Sequence, residues 1–183
     1  YLKKNEKITS EGITNANIYN KYYFTSKDVT FLKEEMRLYS FEQTTITNHK
    51  NSMYKLSEFD YQIDKEFLKG TDVTVIEDIN LAEGKSDKYF FANGFFDLKN
   101  KKYNTGEAKI SLKKNTFDRS NNDPRLYGVS SSYENGITTV NKAVFTSCEV
   151  TDDCPPWRIE SSKIKHDKNK KQLIYENSIL KVY

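Results

Sequence analysis

The stretch WRIESSKIKHDKNKKQLIYENSILKVY, Trp157 to Tyr183, decides the fold class. Trp157 to His166 and Gln172 to Tyr183 are rich in aromatic and β-branched residues, while Asp167 to Lys171 between them is wholly polar. Two extended runs joined by a polar tip read as a β-hairpin. Pro155 and Pro156 mark its start, because neither can donate to a strand ladder and both suit an edge or a connection.

The first arm of this hairpin breaks its own alternation. Ile159 and Ser161 share one parity, and Ile164 and His166 take the other. Side chains alternate faces with a period of two, so both halves turn inward only if the strand bulges or bends near Ser162. The same odd step recurs in Phe24, Ser26, Val29, Phe31, in Tyr54, Leu56, Phe59, Tyr61, and in Phe91, Asn93, Phe96, Leu98. It places further bends near Lys27, Ser57 and Gly94, whereas Leu126 to Tyr133 fits the pattern poorly. Polar tips fall at Lys33 to Glu35, Asp64 to Glu66, Asn100 to Lys102, Asn135 to Gly136 and Lys168 to Lys170. That spacing, roughly 30 to 36 residues, reads as an internal repeat.

Return strands are expected over Met36–Thr47, Phe67–Ile76, Tyr103–Leu112, Ile137–Phe145 and Leu173–Val182, with polar connections at Asn48–Ser52, Ala82–Lys88 and, longest, Asn115–Pro124. Before them, Ile13 to Tyr19 reads as extended and Asn20-Lys21 as a turn. Lys27 to Leu38 is the one helix candidate, since Val29, Phe31, Leu32 and Met36 fall near one face, but the neighbouring Tyr and Thr content favours strand. Bent strands in tandem suit a sheet folded over on itself. The expected class is all-β, a bent antiparallel β-jellyroll of tandem hairpins.

Composition agrees. With 183 residues the chain is long enough for one domain with a substantial core. Its 13 Tyr and 11 Phe against one Trp make much of the apolar surface aromatic and β-forming. A balance of 29 Lys plus Arg against 26 Asp plus Glu is too even to argue for nucleic acid, so no such partner is expected. No apolar run approaches a membrane-spanning helix, and Tyr1-Leu2-Lys3-Lys4 does not open a signal peptide. No glycine-rich phosphate loop occurs, and no cofactor is expected.

His49 lies in a polar loop and His166 at a hairpin tip, with no Ser or Cys nucleophile in an elbow beside either, so both read as solvated loop histidines. Asp72, Asp78, Asp87 and Asp97 read as turn residues rather than acid–base pairs. No catalytic residue is assigned and no enzyme is expected. Cys148 and Cys154 leave three states open: a small local disulfide, pairing elsewhere, or free thiols; a metal site is weaker, since two thiols with no neighbouring His leave a tetrahedral shell unfilled.

The alternation yields a candidate lining for an apolar groove: Phe24, Val29, Phe31, Leu56, Phe59, Tyr61, Phe91, Phe96, Leu98, Ile159 and Ile164. Such an interior under a Lys- and Asn-rich exterior suits acyl chains, which gain about 25 cal/mol per Å² of apolar surface buried. For any single one of these residues, plain core packing is the expected role.

Cys154 to Tyr183, with its Cys, Pro-Pro-Trp, alternating strand, His-Asp-Lys-Asn-Lys-Lys and closing Ile-Tyr-Glu-Asn-Ser-Ile-Leu-Lys-Val-Tyr, resembles the OstA-like family of lipopolysaccharide-assembly domains in its barrel-linked LptD type. The resemblance implies a single V-shaped β-jellyroll spanning residues 1–183, truncated at both ends, with an outer-membrane barrel following Tyr183. It implies a place at the periplasmic face of the outer membrane of a Gram-negative bacterium. There the domain would accept lipopolysaccharide from a periplasmic bridge protein of the same fold through edge-strand pairing, and pass it to its own barrel with the lipoprotein plug. In that family the cysteines of this domain are tied to cysteines of the barrel. Two alternatives remain from the sequence: a free periplasmic bridge of the same fold, and an extracellular glycan-binding or glycan-cleaving β-domain, for which tyrosines are present but no convincing carboxylate pair.

Overall fold

The structure is a computed structural model and describes residues 6–114, 116, 122–150 and 156–183. All seventeen strands join one antiparallel sheet, and no helix occurs among the described residues. The strands are β1 (Lys7–Thr9), β2 (Ile13–Ile18), β3 (Tyr22–Lys27), β4 (Thr30–Leu32), β5 (Arg37–Ser40), β6 (Thr44–Asn48), β7 (Met53–Leu56), β8 (Glu58–Gln62), β9 (Phe67–Ile76), β10 (Lys88–Asp97), β11 (Lys102–Thr105), β12 (Ala108–Ser111), β13 (Arg125–Gly128), β14 (Ser130–Glu134), β15 (Ile137–Thr146), β16 (Trp157–Asp167) and β17 (Gln172–Val182).

Two ladders run side by side through this sheet. One joins β1–β4–β5–β8–β9–β10–β11–β14–β15–β16–β17. The other joins β2–β3–β6–β7–β9–β10–β12–β13–β15–β16–β17. The long strands belong to both. β9, for example, pairs with β8 through Phe67–Thr71 and with β7 through Thr74–Ile76.

Each long strand therefore gives half its length to each ladder and bends in between. Asp72, Lys142 and Asn177 stand at these bends with φ of 47°, 47° and 50°, and Asp28, with φ of 48°, stands at the equivalent step from β3 to β4. A left-handed residue inserted in a strand shifts the facing of all that follow. Burial shows the shift directly: β9 buries Leu68 and then Val73, β15 buries Val140 and then Ala143 and Phe145, and β16 buries Ser161 and then Ile164. The result is the jellyroll-like, folded-over sheet expected from the alternation, with both halves turning their apolar residues inward.

The inner faces meet through aromatic contacts that cross from one half to the other. Phe24–Tyr61 centroids lie 5.3 Å apart, Phe91–Tyr103 5.2 Å, Tyr54–Phe96 6.2 Å and Phe145–Tyr175 6.1 Å. Such pairs contribute about 0.5–1.5 kcal/mol each beyond the area they bury.

Two expectations change. Leu126 to Tyr133 belongs to the repeat after all: β13 and β14 bend at Val129, whose N–H donates to the Asn141 carbonyl at 3.1 Å, and Leu126 and Ser131 are buried on the two sides of the bend. Glycine and serine in place of large apolar residues hid it. In β10 the inward residues are Tyr89 and Phe91, then Gly94 and Phe96, so the bend sits at Ala92 and Asn93, not Gly94. Asn93 is exposed and Leu98 lies beyond the strand. The glycine, having no side chain, gave no facing signal. Over Lys27–Leu38, where strand was favoured over helix, the chain runs from the end of β3 through β4 and a turn at 33–36 into β5. The long connection Asn115–Pro124 lies mostly outside the described residues.

Candidate functional site

The two halves part at their outer ends. Hairpin turns at 63–66, 98–101 and 168–171 edge one half; the turns at 19–21 and 49–52 and the segment 77–87 edge the other. Two lysines make ion pairs across these edges. Lys21 Nζ lies 2.9 Å from Glu66 Oε1, and Lys168 Nζ contacts Glu77 and lies 3.0 Å from Asp87 Oδ2. Around and between them opens a cavity of about 590 Å³. Its walls are Tyr22, Tyr54, Val75, Tyr89, Phe91, Phe96, Leu98, Tyr103 and Tyr133, and its rim carries His49, Lys50, Lys99, Lys101 and Lys102. An aromatic slot under a basic rim fits an amphiphile with an apolar body and an anionic head.

The Lys168 contact is a built clasp. Asp87 is buried and its Oδ1 also accepts from the Lys113 N–H at 2.8 Å. Tyr89 OH lies 3.1 Å from Glu77 Oε1 and 3.3 Å from Asp87 Oδ2, and the Lys168 ammonium stands 5.3 Å over the Tyr89 ring. Burial disfavours the Lys168 charge, yet Asp87 and Glu77 outweigh it and raise the ammonium pKa. Tyr89 is held well above its usual pKa by burial and by the same two carboxylates. Burial likewise pushes Tyr54 up to about 12. Tyr54 and Tyr89 are thus neutral at physiological pH.

His166 is not the solvated tip histidine that its sequence position suggests. It is buried on the inward face of β16, below the clasp. Burial lowers its pKa, Lys168 adds to that, and Asp87, Glu77 and Asp167 oppose it. The unfolded chain therefore binds a proton more readily than the folded one. Stability from the neutral imidazole is complete above the ordinary histidine pKa of about 6.5 and is lost as pH falls through the lower folded value. Melting temperature should accordingly drop between about pH 7 and about pH 5, and less steeply for His166→Gln. Parallel profiles for the two proteins would remove His166 from the acid response.

Of the eleven residues given by alternation, Phe24, Val29, Leu56, Phe59, Tyr61, Phe91, Phe96 and Ile164 are buried in one core, and Phe31, Leu98 and Ile159 pack against it half-exposed. Only Phe91, Phe96 and Leu98 line the cavity between the halves. The rest belong to the packed interior away from it. No protein-family model matches this chain, and no curated protein matches it.

Sequence reasoning missed Tyr22, Tyr54, Val75, Tyr89, Tyr103 and Tyr133, which lie toward the strand ends at the mouth. Parity alone could have found them, since each shares the facing of its buried neighbours. Asp78 and Asp97 do serve turns, accepting from the Asn80 and Asn100 N–H groups at 3.0 and 2.9 Å. Asp87 does not: it is the buried anchor of the clasp. His49 is exposed at the rim. Cys148 is half-buried, with Sγ 3.9 Å from the Trp157 carbonyl oxygen, and Cys154 lies outside the described residues, as does the pairing considered for it.

Proposed function

We propose that this domain conducts lipopolysaccharide, holding lipid A acyl chains in the slot between the two half-sheets while phosphates stay at the lysine rim. The carrying observation is the cavity of about 590 Å³, which is aromatic within and basic at its mouth. Lys50, Lys99 and Lys101 at that mouth have no ion-pair partner among the described residues, so their charges are available to an anionic head. The reading makes the domain non-enzymatic and periplasmic, as the OstA-like resemblance implies.

Free edges support a relay. β1 and β2 end the ladders on one side and β17 on the other, and the apolar residues there are open, with Ile13 at 73% and Val182 at 73% exposure. A bridge of the same fold would extend the sheet at the first edge, and the barrel and its lipoprotein plug would lie beyond the second.

A photo-crosslinking residue at Leu98, half-buried in the cavity, should capture purified lipopolysaccharide, whereas one at Tyr127 on the outward face of β13 should not. Equal labelling at both positions, or labelling at neither in a folded protein, would count against an acyl-chain slot.

A further inference from the structure

A second recess lies on the opposite, outward face of the β5–β8–β9–β10–β11 half-sheet, where the lipid reading gives it no task. Register aligns Tyr39, Asp60, Lys69, Phe95 and Asn104 in one row, each the cross-strand partner of the next. Glu58, Thr71 and Asn93 form the adjoining row toward the bend. A cavity of about 630 Å³ opens over both rows beside Phe41, and one of about 300 Å³ continues it past Arg37 and Phe67. The two share Arg37, Asp60, Lys69 and Phe95, and so form one trough of ligand-site size, which is roughly 300–1,000 Å³.

The trough is aromatic and polar, with Arg37 and Lys69 set against Glu35, Glu58 and Asp60 and hence no surplus of cations. Tyr39–Phe41 and Phe67–Phe95 form edge-on pairs at 5.7 and 5.1 Å, and Phe41 is 76% exposed. Arg37 grips Asp60 with Nε at 2.9 Å and Nη2 at 2.7 Å, and its guanidinium lies 5.3 Å from the Tyr39 ring centroid, so this pair is internally neutralised and fixed. Lys69 and Glu58 balance one another, and Asn93 and Asn104 supply amide donors and acceptors. An anionic ligand finds no spare cationic cluster there. A peptide finds no strand to extend, because each of the five strands beneath is paired on both sides. A pyranose chain matches: its C–H faces stack on exposed rings, and its hydroxyls both donate and accept.

We propose that this trough binds a neutral saccharide chain, at a site separate from the cavity between the half-sheets and independent of the lipid reading. The test is an amide NMR titration of the whole chain with cellohexaose, maltohexaose and chitohexaose in turn. At least one sugar should shift the amides of Tyr39, Phe41, Phe95 and Asn104 saturably. Phe41→Ala, which removes an exposed ring and leaves the rest of the spectrum intact, should weaken binding about tenfold. Saturable shifts from none of the three sugars, shifts centred on Tyr54 and Phe96 instead, or undiminished binding by Phe41→Ala would each overturn the site. Shifts produced by soluble peptides but by no sugar would assign the trough to a protein partner and overturn it too.

Discussion

Lys168→Met should lower unfolding free energy by about 2–3 kcal/mol, between the 3–5 of a broken buried pair and the 0–1 of a surface pair. The intermediate figure follows from unequal exposure: the side chains of Lys168, Glu77 and Asp87 are 25%, 47% and 9% exposed. Methionine keeps the apolar stem over Tyr89, so the loss isolates the charge. What remains is the Asp87 carboxylate, buried without its cation. Lys168→Met with Asp87→Asn should therefore recover much of the loss, and a denaturant double-mutant cycle measures the coupling. Lys21→Met is the contrast. Its partner Glu66 is well covered but Lys21 itself is 49% exposed, so less than about 1 kcal/mol is expected. Equal costs for the two would mean that the mouth has no dominant clasp. The clasp joins residues 91 positions apart across the mouth of the cavity, the opening that the proposed lipid would have to pass.

The fold was legible because each strand carries two parities. Phe24, Ser26 and then Val29 cannot face one way on a flat strand, and the bend this demands appears at Asp28 with φ 48°. Polar tips at Asp64–Glu66 and Asn135–Gly136 fixed hairpin lengths for the same reason. The pattern failed where an inward position carries no apolar side chain, at Gly94, Gly128 and Ser131. There the neighbouring ladder sets the register, and a single strand does not contain that information.

The site was legible only in part. Alternation separates inner from outer residues, so it returned eight members of the buried core and three residues packed against it, and could not tell which of them adjoin empty space. That depends on how closely the two half-sheets approach one another at each point. Leu56 stands beside the bend at Ser57 and is packed solid, whereas Tyr54, two residues along the same inner face, borders the cavity; Phe24, level with Tyr54 through Ile46, is buried. The clasp was invisible for another reason. Lys168 stands in a run of polar tip residues, and nothing local distinguishes it from Lys170 or Lys171 until the fold brings Asp87 to it.

Contact at the bend line leads to the largest effect expected. Gly128→Val should cost about 3 kcal/mol or more, at or above the upper end of ordinary overpacking. Gly128 faces inward beside the bend at Val129, and a Cβ there would fall on the Val140 side chain and 2.8 Å from the Asn141 carbonyl oxygen. Relief by a rotamer change is blocked, since that oxygen is backbone and already accepts from Val129 N–H. Gly128 is also paired to Ala108 across the ladder. Gly12→Ala provides the scale. Gly12 has φ +81° but no atom within 4 Å of a built Cβ, so only backbone strain of about 1 kcal/mol is expected. Denaturant midpoints for the two variants decide the matter, and similar losses would show that the halves do not bear on each other at the bend. A large loss at Gly128 alone would mean that the halves are pinned together at the bends. With the clasp holding their outer ends, space between them is then left mainly beneath the mouth.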